Sequence, residues 1–293
     1  MNLRKIAVTL CRYRLIPRKF HFDIYQYCKG HTLLLTRKLI YTKTRVLLDV
    51  GDYIQYWMYV NGAYETSYLK FIRNNLIIRG GGAVVDAGAN VGSYTLNLYD
   101  KADHIIAIEA SGSNAAFIQS VCALNHIKNV RVYNNALYKT DGELIELYVS
   151  NDTCGNNSMY KTTGYSEVES VQTLTIDTIC AENGINDIRL IKIDIEGAEY
   201  NCLLGAQKTI ERYRPIVLCE FNRMAAEAAG YDLSLLYDFF KQRAYEAFLL
   251  EERAQELIPF EERRLELSSF QENLFLFPKN HNTKVDSHRK YRL

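Results

Sequence analysis

The chain has 293 residues, 48% of them hydrophobic, with 35 basic and 34 acidic side chains giving a net charge of +1. A chain of this length buries a sizeable core, and its near-neutral charge argues against a dedicated nucleic-acid binder, so no nucleic-acid partner is expected. Seven scattered cysteines, odd in number and without a C-x-x-C pair, suggest neither a disulfide framework nor a zinc site and predict a reducing, cytoplasmic setting.

The amino-terminal end is basic: Arg4, Lys5, Arg12, Arg14, Arg18 and Lys19 precede the first acid, Asp23. The apolar run 6–10 is too short, and too soon followed by Arg12 and Arg14, for a secretory signal, and no run reaches membrane-spanning length. Residues 1–80 read as an irregular cap. Within it, 33–48 is rich in Leu, Ile, Val, Thr and Tyr and predicts short strands, and 49–52 predicts a turn. Tyr68, Leu69, Ile72 and Leu76 stand near helical spacing and predict a helix over 65–78, broken by glycines 80–82.

A regular alternation follows in a domain expected over 81–278. Strands are predicted at 83–85, 104–108, 130–133, 190–193 and 216–219, with helices at 93–99, 114–125 and 199–210. Strand and helix repeated in this way mean a parallel sheet covered on both faces. Two further strands, 144–149 and 170–176, flank the polar stretch 151–169, which reads as a loop over the site. Strands at 245–250 and 273–277, separated by the charge-rich stretch 251–266, complete a mostly parallel α/β sheet of seven strands. The tail, 279–293, is basic, and with the amino-terminal cluster it allows weak contact with an anionic surface.

The strongest chemical signal is Val84-Val-Asp86-Ala-Gly88-Ala-Asn90-Val-Gly92, which follows a strand and opens a helix. Glycines there let the backbone turn sharply and pass close to a ligand. Asp86 precedes the first glycine, where a carboxylate would repel a pyrophosphate but suit the cationic amino and sulfonium groups of S-adenosylmethionine. The spacing is G-x-N-x-G rather than the G-x-G-x-x-G of dinucleotide sites. Glu109 ends the next strand, where an acid can accept both ribose hydroxyls. The plainer role for Asp86 and Glu109 is to cap the helices that follow.

The second signal is Ile191-Lys192-Ile193-Asp194-Ile195-Glu196-Gly197-Ala-Glu199, at the carboxyl end of the fourth strand, where open parallel sheets bind ligands. Three acids so close repel one another unless a proton, a cation or a basic partner sits among them. Asp194 is the candidate for the acceptor site, with Glu196 as helper, and a divalent cation on these two is conceivable, though no partner ligands are evident. Glu199 reads as a helix-starting acid. Glu220 ends the fifth strand on the same rim, with a structural role equally open to it, and Lys192 either neutralises these acids or snorkels outward.

In this order the motifs resemble the FkbM family of methyltransferases. The likeness runs from Gly62 to Pro278 and is carried by Gly62-Ala-Tyr-Glu65, Val85 to Gly92, Ile108-Glu109, Asn135-Ala-Leu137, Lys192 to Glu199, Arg214-Pro215 with Glu220, and Asn273-Leu-Phe275. It implies a class I Rossmann-like methyltransferase fold, S-adenosylmethionine as methyl donor, and O-methylation of a sugar, glycoconjugate or secondary metabolite. It also implies donor contacts from Asp86, Gly88, Asn90, Gly92 and Glu109, with Asn135 and Ala136 near the adenine. The chain departs from the family at Glu109-Ala110, where Glu-Pro is common, but keeps the carboxylate. A nicotinamide-dependent oxidoreductase and a non-catalytic binding protein on the same scaffold are the alternatives. The lack of an Asn-Pro-Pro-Tyr motif removes one base-methylating chemistry.

Overall fold

The computed structural model describes residues 2–76, 81–150, 154, 157–160 and 165–279. The glycine at 80, most of the polar stretch 151–164 and nearly all of the basic tail therefore lie outside the described residues.

The cap is regular rather than irregular. It comprises α1 (Leu3–Arg12), α2 (His21–Cys28), the antiparallel hairpin β1 (Leu34–Lys38) and β2 (Arg45–Asp49), α3 (Tyr53–Asn61) and α4 (Thr66–Phe71), which runs into a π-helical turn over Ile72–Leu76. Asn2 and Asp52 cap α1 and α3 by accepting backbone N–H groups, and Gly62, with φ 86°, ends α3 in the left-handed conformation. α1 is strongly amphipathic, a helical period that the sequence reading passed over. Its buried Val8 and Cys11 join Tyr25, Leu48 and Tyr56 in a core continuous with Ala89, Val91 and Ile118 of the main domain.

The main domain continues with β3 (Ala83–Ala87), α5 (Ser93–Leu98), β4 (His104–Ile108), α6 (Gly112–Leu124), β5 (Val130–Tyr133), β6 (Ala136–Leu137), β7 (Leu144–Ser150), β8 (Tyr165–Leu174), α7 (Ile176–Glu182) and β9 (Ile188–Ile193). Then come α8 (Glu199–Leu204), α9 (Gln207–Tyr213), β10 (Ile216–Asn222), α10 (Arg223–Ala228), α11 (Leu233–Gln242), β11 (Tyr245–Glu251), β12 (Glu256–Pro259) and β13 (Gln271–Pro278). The large sheet has eight strands, in the order β12-β11-β13-β10-β9-β3-β4-β5. The expected count of seven missed β12, whose four residues carry only two large apolar side chains and which adds antiparallel to β11. From β5 to β10 the strands are parallel, and β13 runs antiparallel to both of its neighbours.

The central strands are buried on both faces, which is why they read as unbroken apolar runs. Alternate residues face opposite layers. Val85 and Ala87 meet the α7, α8, α9 and α11 side, whereas Val84, Leu190 and Leu218 meet α4 and α5. The chain leaves β3 toward β4 and β5 and returns on the other side as β9 and β10. The order thus reverses between β3 and β9, and a crevice opens at their carboxyl ends.

Three further differences from the sequence reading have local causes. The strand expected at 170–176 is β8, which reaches back to Tyr165 and takes part of the predicted loop. Its polar residues are held by antiparallel pairing with β7 rather than by apolar alternation. Thr175 ends it by capping α7. The helix expected over 199–210 is two helices, because Gly205 lies against the Tyr138 carbonyl, where a Cβ would approach to 2.2 Å. Among the described residues, no helix is long and apolar enough to cross a membrane.

Candidate active site

A cavity of about 450 Å³ occupies the crevice, within the size range of small-molecule sites. Its wall includes Gly88, Asn90, Glu109, Asn135 and Ala136 on one side and Asp194, Glu196 and Glu220 on the other, with Lys192 between them. Of the ten candidate residues named from sequence, Asp86 and Gly92 are not on this wall.

The loop after β3 owes its shape to close approach. Gly88 has φ 76°, and a Cβ on it would lie 1.9 Å from the Asp194 carbonyl oxygen. The Gly88 and Ala89 N–H groups both donate to the Ile108 carbonyl at 3.0 Å. Asn90 also has positive φ, 52°. Its N–H donates to Glu109 Oε2 at 2.7 Å, and its Nδ2 donates to the Cys154 carbonyl at 2.9 Å. Cys154 in turn donates its N–H to Asp52 Oδ2 at 2.8 Å, so the polar stretch is tied to the cap and the glycine loop together. Gly92 seats α5 against Ile118 of α6, 3.1 Å from where its Cβ would stand.

Glu109 is buried beside the cavity and accepts N–H groups from Asn90 and, at 2.9 Å, Ser111. Burial pushes its pKa up while those two donors oppose the rise. Asp86 departs from expectation. Its carboxylate, 1% exposed, accepts both the hydroxyl and the N–H of Thr95, at 2.6 and 3.0 Å. The pleat places Asp86 with Val84 on the α5 side of the sheet, so it secures the helix after the loop instead of facing the cavity.

Lys192 pairs with Asp86 across the parallel strands and points to the same side. Its buried ammonium donates to the Gly88 carbonyl at 2.8 Å and lies 3.3 Å from Asp194 Oδ2 and 3.9 Å from Asp86 Oδ1. Burial alone would lower its pKa, but Asp194, Asp86 and Glu65 together raise it, so the lysine stays charged. Of the two roles open to it from sequence, neutralisation is the one it takes.

Asp194, Glu196 and Glu220 offer oxygens within 4.8 Å of one another, a spacing that a shared proton or a divalent cation can bridge. Glu220, placed on the same rim from sequence, is the third group beside Asp194 and Glu196. Burial, then repulsion from Asp194 and Glu199, pushes the Glu196 carboxyl up to about 8. Burial, then repulsion from Asp194, Glu196 and Glu199, raises the Glu220 carboxyl as well. Its Oε1 accepts Gln271 Nε2 at 2.9 Å, while its Oε2 is buried without a hydrogen-bond partner. Glu199 turns away from the cavity. It accepts the Ile195 N–H at 2.9 Å and the Gly197 N–H at 3.0 Å, and so closes the turn before α8.

Glu65 is the site residue that residue-by-residue reading missed. It sits at φ 50° just before α4 and accepts the Tyr94 hydroxyl at 2.7 Å and Asn273 Nδ2 at 3.0 Å. Burial, then repulsion from Asp194, pushes it up to about 7. The signal in the sequence was its place in Gly62-Ala-Tyr-Glu65, a motif with no chemistry of its own until β13 brings Asn273 beside it.

A largely parallel sheet with a glycine loop and an acid-rimmed crevice at its switch point defines a class I methyltransferase fold. Residues 86–247, more than half of the chain, match the methyltransferase FkbM domain, and the chain belongs to that family. In structure it is similar to the methyltransferase FkbM of Methylobacillus flagellatus KT, with 18% identity and a TM-score of 0.46, over 78% of this chain and 51% of that one. It thus spans about half the length of that protein. It is also similar to SMU.1697c of Streptococcus mutans, assigned to the methyltransferases and solved with SAH, with 11% identity, a TM-score of 0.43 and coverage of 72% and 96%. An rRNA methylase of Streptococcus thermophilus gives 13% identity and a TM-score of 0.41, over 72% of this chain and 93% of that one. No curated protein matches the chain in sequence.

Proposed function

We propose that the chain is an S-adenosylmethionine-dependent O-methyltransferase acting on a hydroxyl of a sugar, glycoconjugate or secondary metabolite. The observation that carries this reading is the juxtaposition of the glycine loop and Glu109 with the Asp194, Glu196 and Glu220 carboxylates across one cavity. S-adenosylmethionine, when bound, supplies an electrophilic methyl group on a sulfonium. The residues present fit that group. The Gly88 backbone passes where a side chain could not, and the cavity's excess of carboxylates favours a cationic ligand.

In this reading Gly88, Asn90, Glu109, Asn135 and Ala136 hold the donor. Glu109 accepts the ribose hydroxyls with the lone pairs its two N–H donors leave free. Asp86 and Gly92 act from behind the loop by fixing α5. Glu196, with a pKa near the working pH, takes the acceptor's hydroxyl proton on a carboxylate oxygen. Asp194, held by Lys192, and Glu220 orient the hydroxyl. Residues 1–80 form a cap that contributes Tyr53, Tyr64 and Glu65 to the wall and selects the acceptor.

Calorimetry with S-adenosylhomocysteine, followed by incubation of labelled donor with host-cell extract, tests the reading. Binding that Glu109→Ala abolishes, with label transferred to a hydroxyl compound, is expected. No heat at high micromolar concentration would end it.

A further inference from the structure

A second cavity, of about 380 Å³, lies between the cap and the segment after β11. Six cationic side chains line it, Arg12, Arg14, Arg18, Arg37, Lys70 and Arg253, against one acid, Glu252. No ion pair among the described residues involves any of the six. Arg12 and Arg37 each bury a guanidinium Nε that has no hydrogen-bond partner. Leaving a charged donor buried and unpaired is unfavourable, and these two arginines also repel each other, lowering the Arg37 pKa beyond what burial does. The crowding is built in rather than incidental: the Arg12 guanidinium lies over the Tyr13 and Tyr59 rings, 5.2 and 5.4 Å from their centres. A multiply charged anion would offer the acceptors that the buried Arg12 and Arg37 nitrogens lack, and the guanidinium fork matches phosphate oxygens in pairs.

The basic cavity adjoins the acidic one. Glu252 lines both. Glu65 faces the first cavity, while the next two residues, Thr66 and Ser67, face the second, so the two lie back to back across this short segment. We propose that the basic cavity binds the phosphate or diphosphate group of the methyl acceptor, which makes the acceptor a phosphate-bearing hydroxyl compound. This rests on the larger cavity being the methyl-transfer site. A neutral sugar would leave the arginines unpaired, so the anionic group would supply both affinity and the choice of substrate.

Calorimetry of the full chain with inorganic diphosphate, and separately with S-adenosylhomocysteine, tests this. Saturable diphosphate binding is expected, weakened about tenfold or more by Arg18→Gln combined with Lys70→Gln. Both of those residues are exposed, so their replacement should leave folding and S-adenosylhomocysteine binding unchanged. Product labelled from host extract should be retained on an anion exchanger. Label in the aqueous phase identifies a soluble phosphate ester, and label in the organic phase a lipid-borne one. Wild-type protein that binds S-adenosylhomocysteine but not diphosphate overturns the inference, as does attachment to phosphatidylglycerol vesicles without diphosphate binding, or a labelled product without phosphate. Diphosphate binding without S-adenosylhomocysteine binding sinks the methyl-transfer reading, and the acceptor assignment with it, while leaving the anion cavity standing.

Discussion

The Lys192 ammonium lies 3.3 Å from Asp194 Oδ2 at the floor of the acidic cavity, and its proton donation to the Gly88 carbonyl ties the two key loops of the site to one charge. Lys192→Met keeps an unbranched side chain, one atom shorter, and removes the charge. It leaves Asp86, 1% exposed, with no cation beside it. Breaking a buried pair from one side costs about 3–5 kcal/mol. Denaturant unfolding should show a loss of that order, and a change below about 1 kcal/mol would contradict the pairing described here.

Glu196→Gln removes the proposed proton acceptor without changing its shape. Turnover should fall by roughly 10²–10⁴, the usual contribution of a positioned base. Binding of S-adenosylhomocysteine, measured by calorimetry, should stay close to wild type. A variant that turns over at the wild-type rate would remove Glu196 from the reaction and leave Asp194 as the candidate.

Glu65 and Glu196 titrate near 7 and 8 in the folded protein, against 4.5 for an ordinary glutamate. The folded state therefore holds protons more tightly than the unfolded chain. Stability from these groups is full below about 4.5 and is lost as pH rises toward 8. The melting temperature of the ligand-free protein should drop between about pH 4.5 and pH 8, and Glu65→Gln should flatten that drop. Turnover should move the other way over the upper part of this range, since a base must lose its proton to work. A flat melting profile across the range would refute the raised carboxyls.

Gly88→Ala and Gly92→Ala both place a side chain at positive φ, yet they meet different surroundings. At Gly88 the new Cβ runs into the Asp194 backbone at 1.9 Å, which cannot move without shifting the end of β9. At Gly92 it meets the Ile118 and Leu96 side chains at 3.1 Å, which can shift by tenths of an ångström. Gly88→Ala should abolish S-adenosylhomocysteine binding, whereas Gly92→Ala should weaken it only modestly and lower stability slightly. Equal effects in calorimetry would mean that the loop is not shaped by the approach to Asp194.

The parallel strands were legible because burial on both faces leaves an unmixed apolar run, as over 105–108 and 216–219. The glycine loop and Glu109 were legible because backbone conformation and strand ends are local properties. What escaped depended on distant partners. The four residues of β12 form a strand only because β11 offers an edge. α1, by contrast, was passed over although its apolar positions recur with a helical period. The direction of Asp86 was misread because sequence fixes its place on β3, while its side is set by pleating against Thr95 and Lys192. Glu65 carried no signal of its own, since Tyr94 and Asn273 reach it from residues far along the chain.

Cys154 joins Asn90 to Asp52, and Asp52 is the residue that caps α3. The glycine loop therefore cannot shift without transmitting load to the start of that helix. Occupancy at the loop and fraying of α3 become linked quantities, each biasing the other by the same free energy. Hydrogen exchange at Gln55, whose N–H is held by Asp52, then serves as a remote gauge of whether the loop has been engaged.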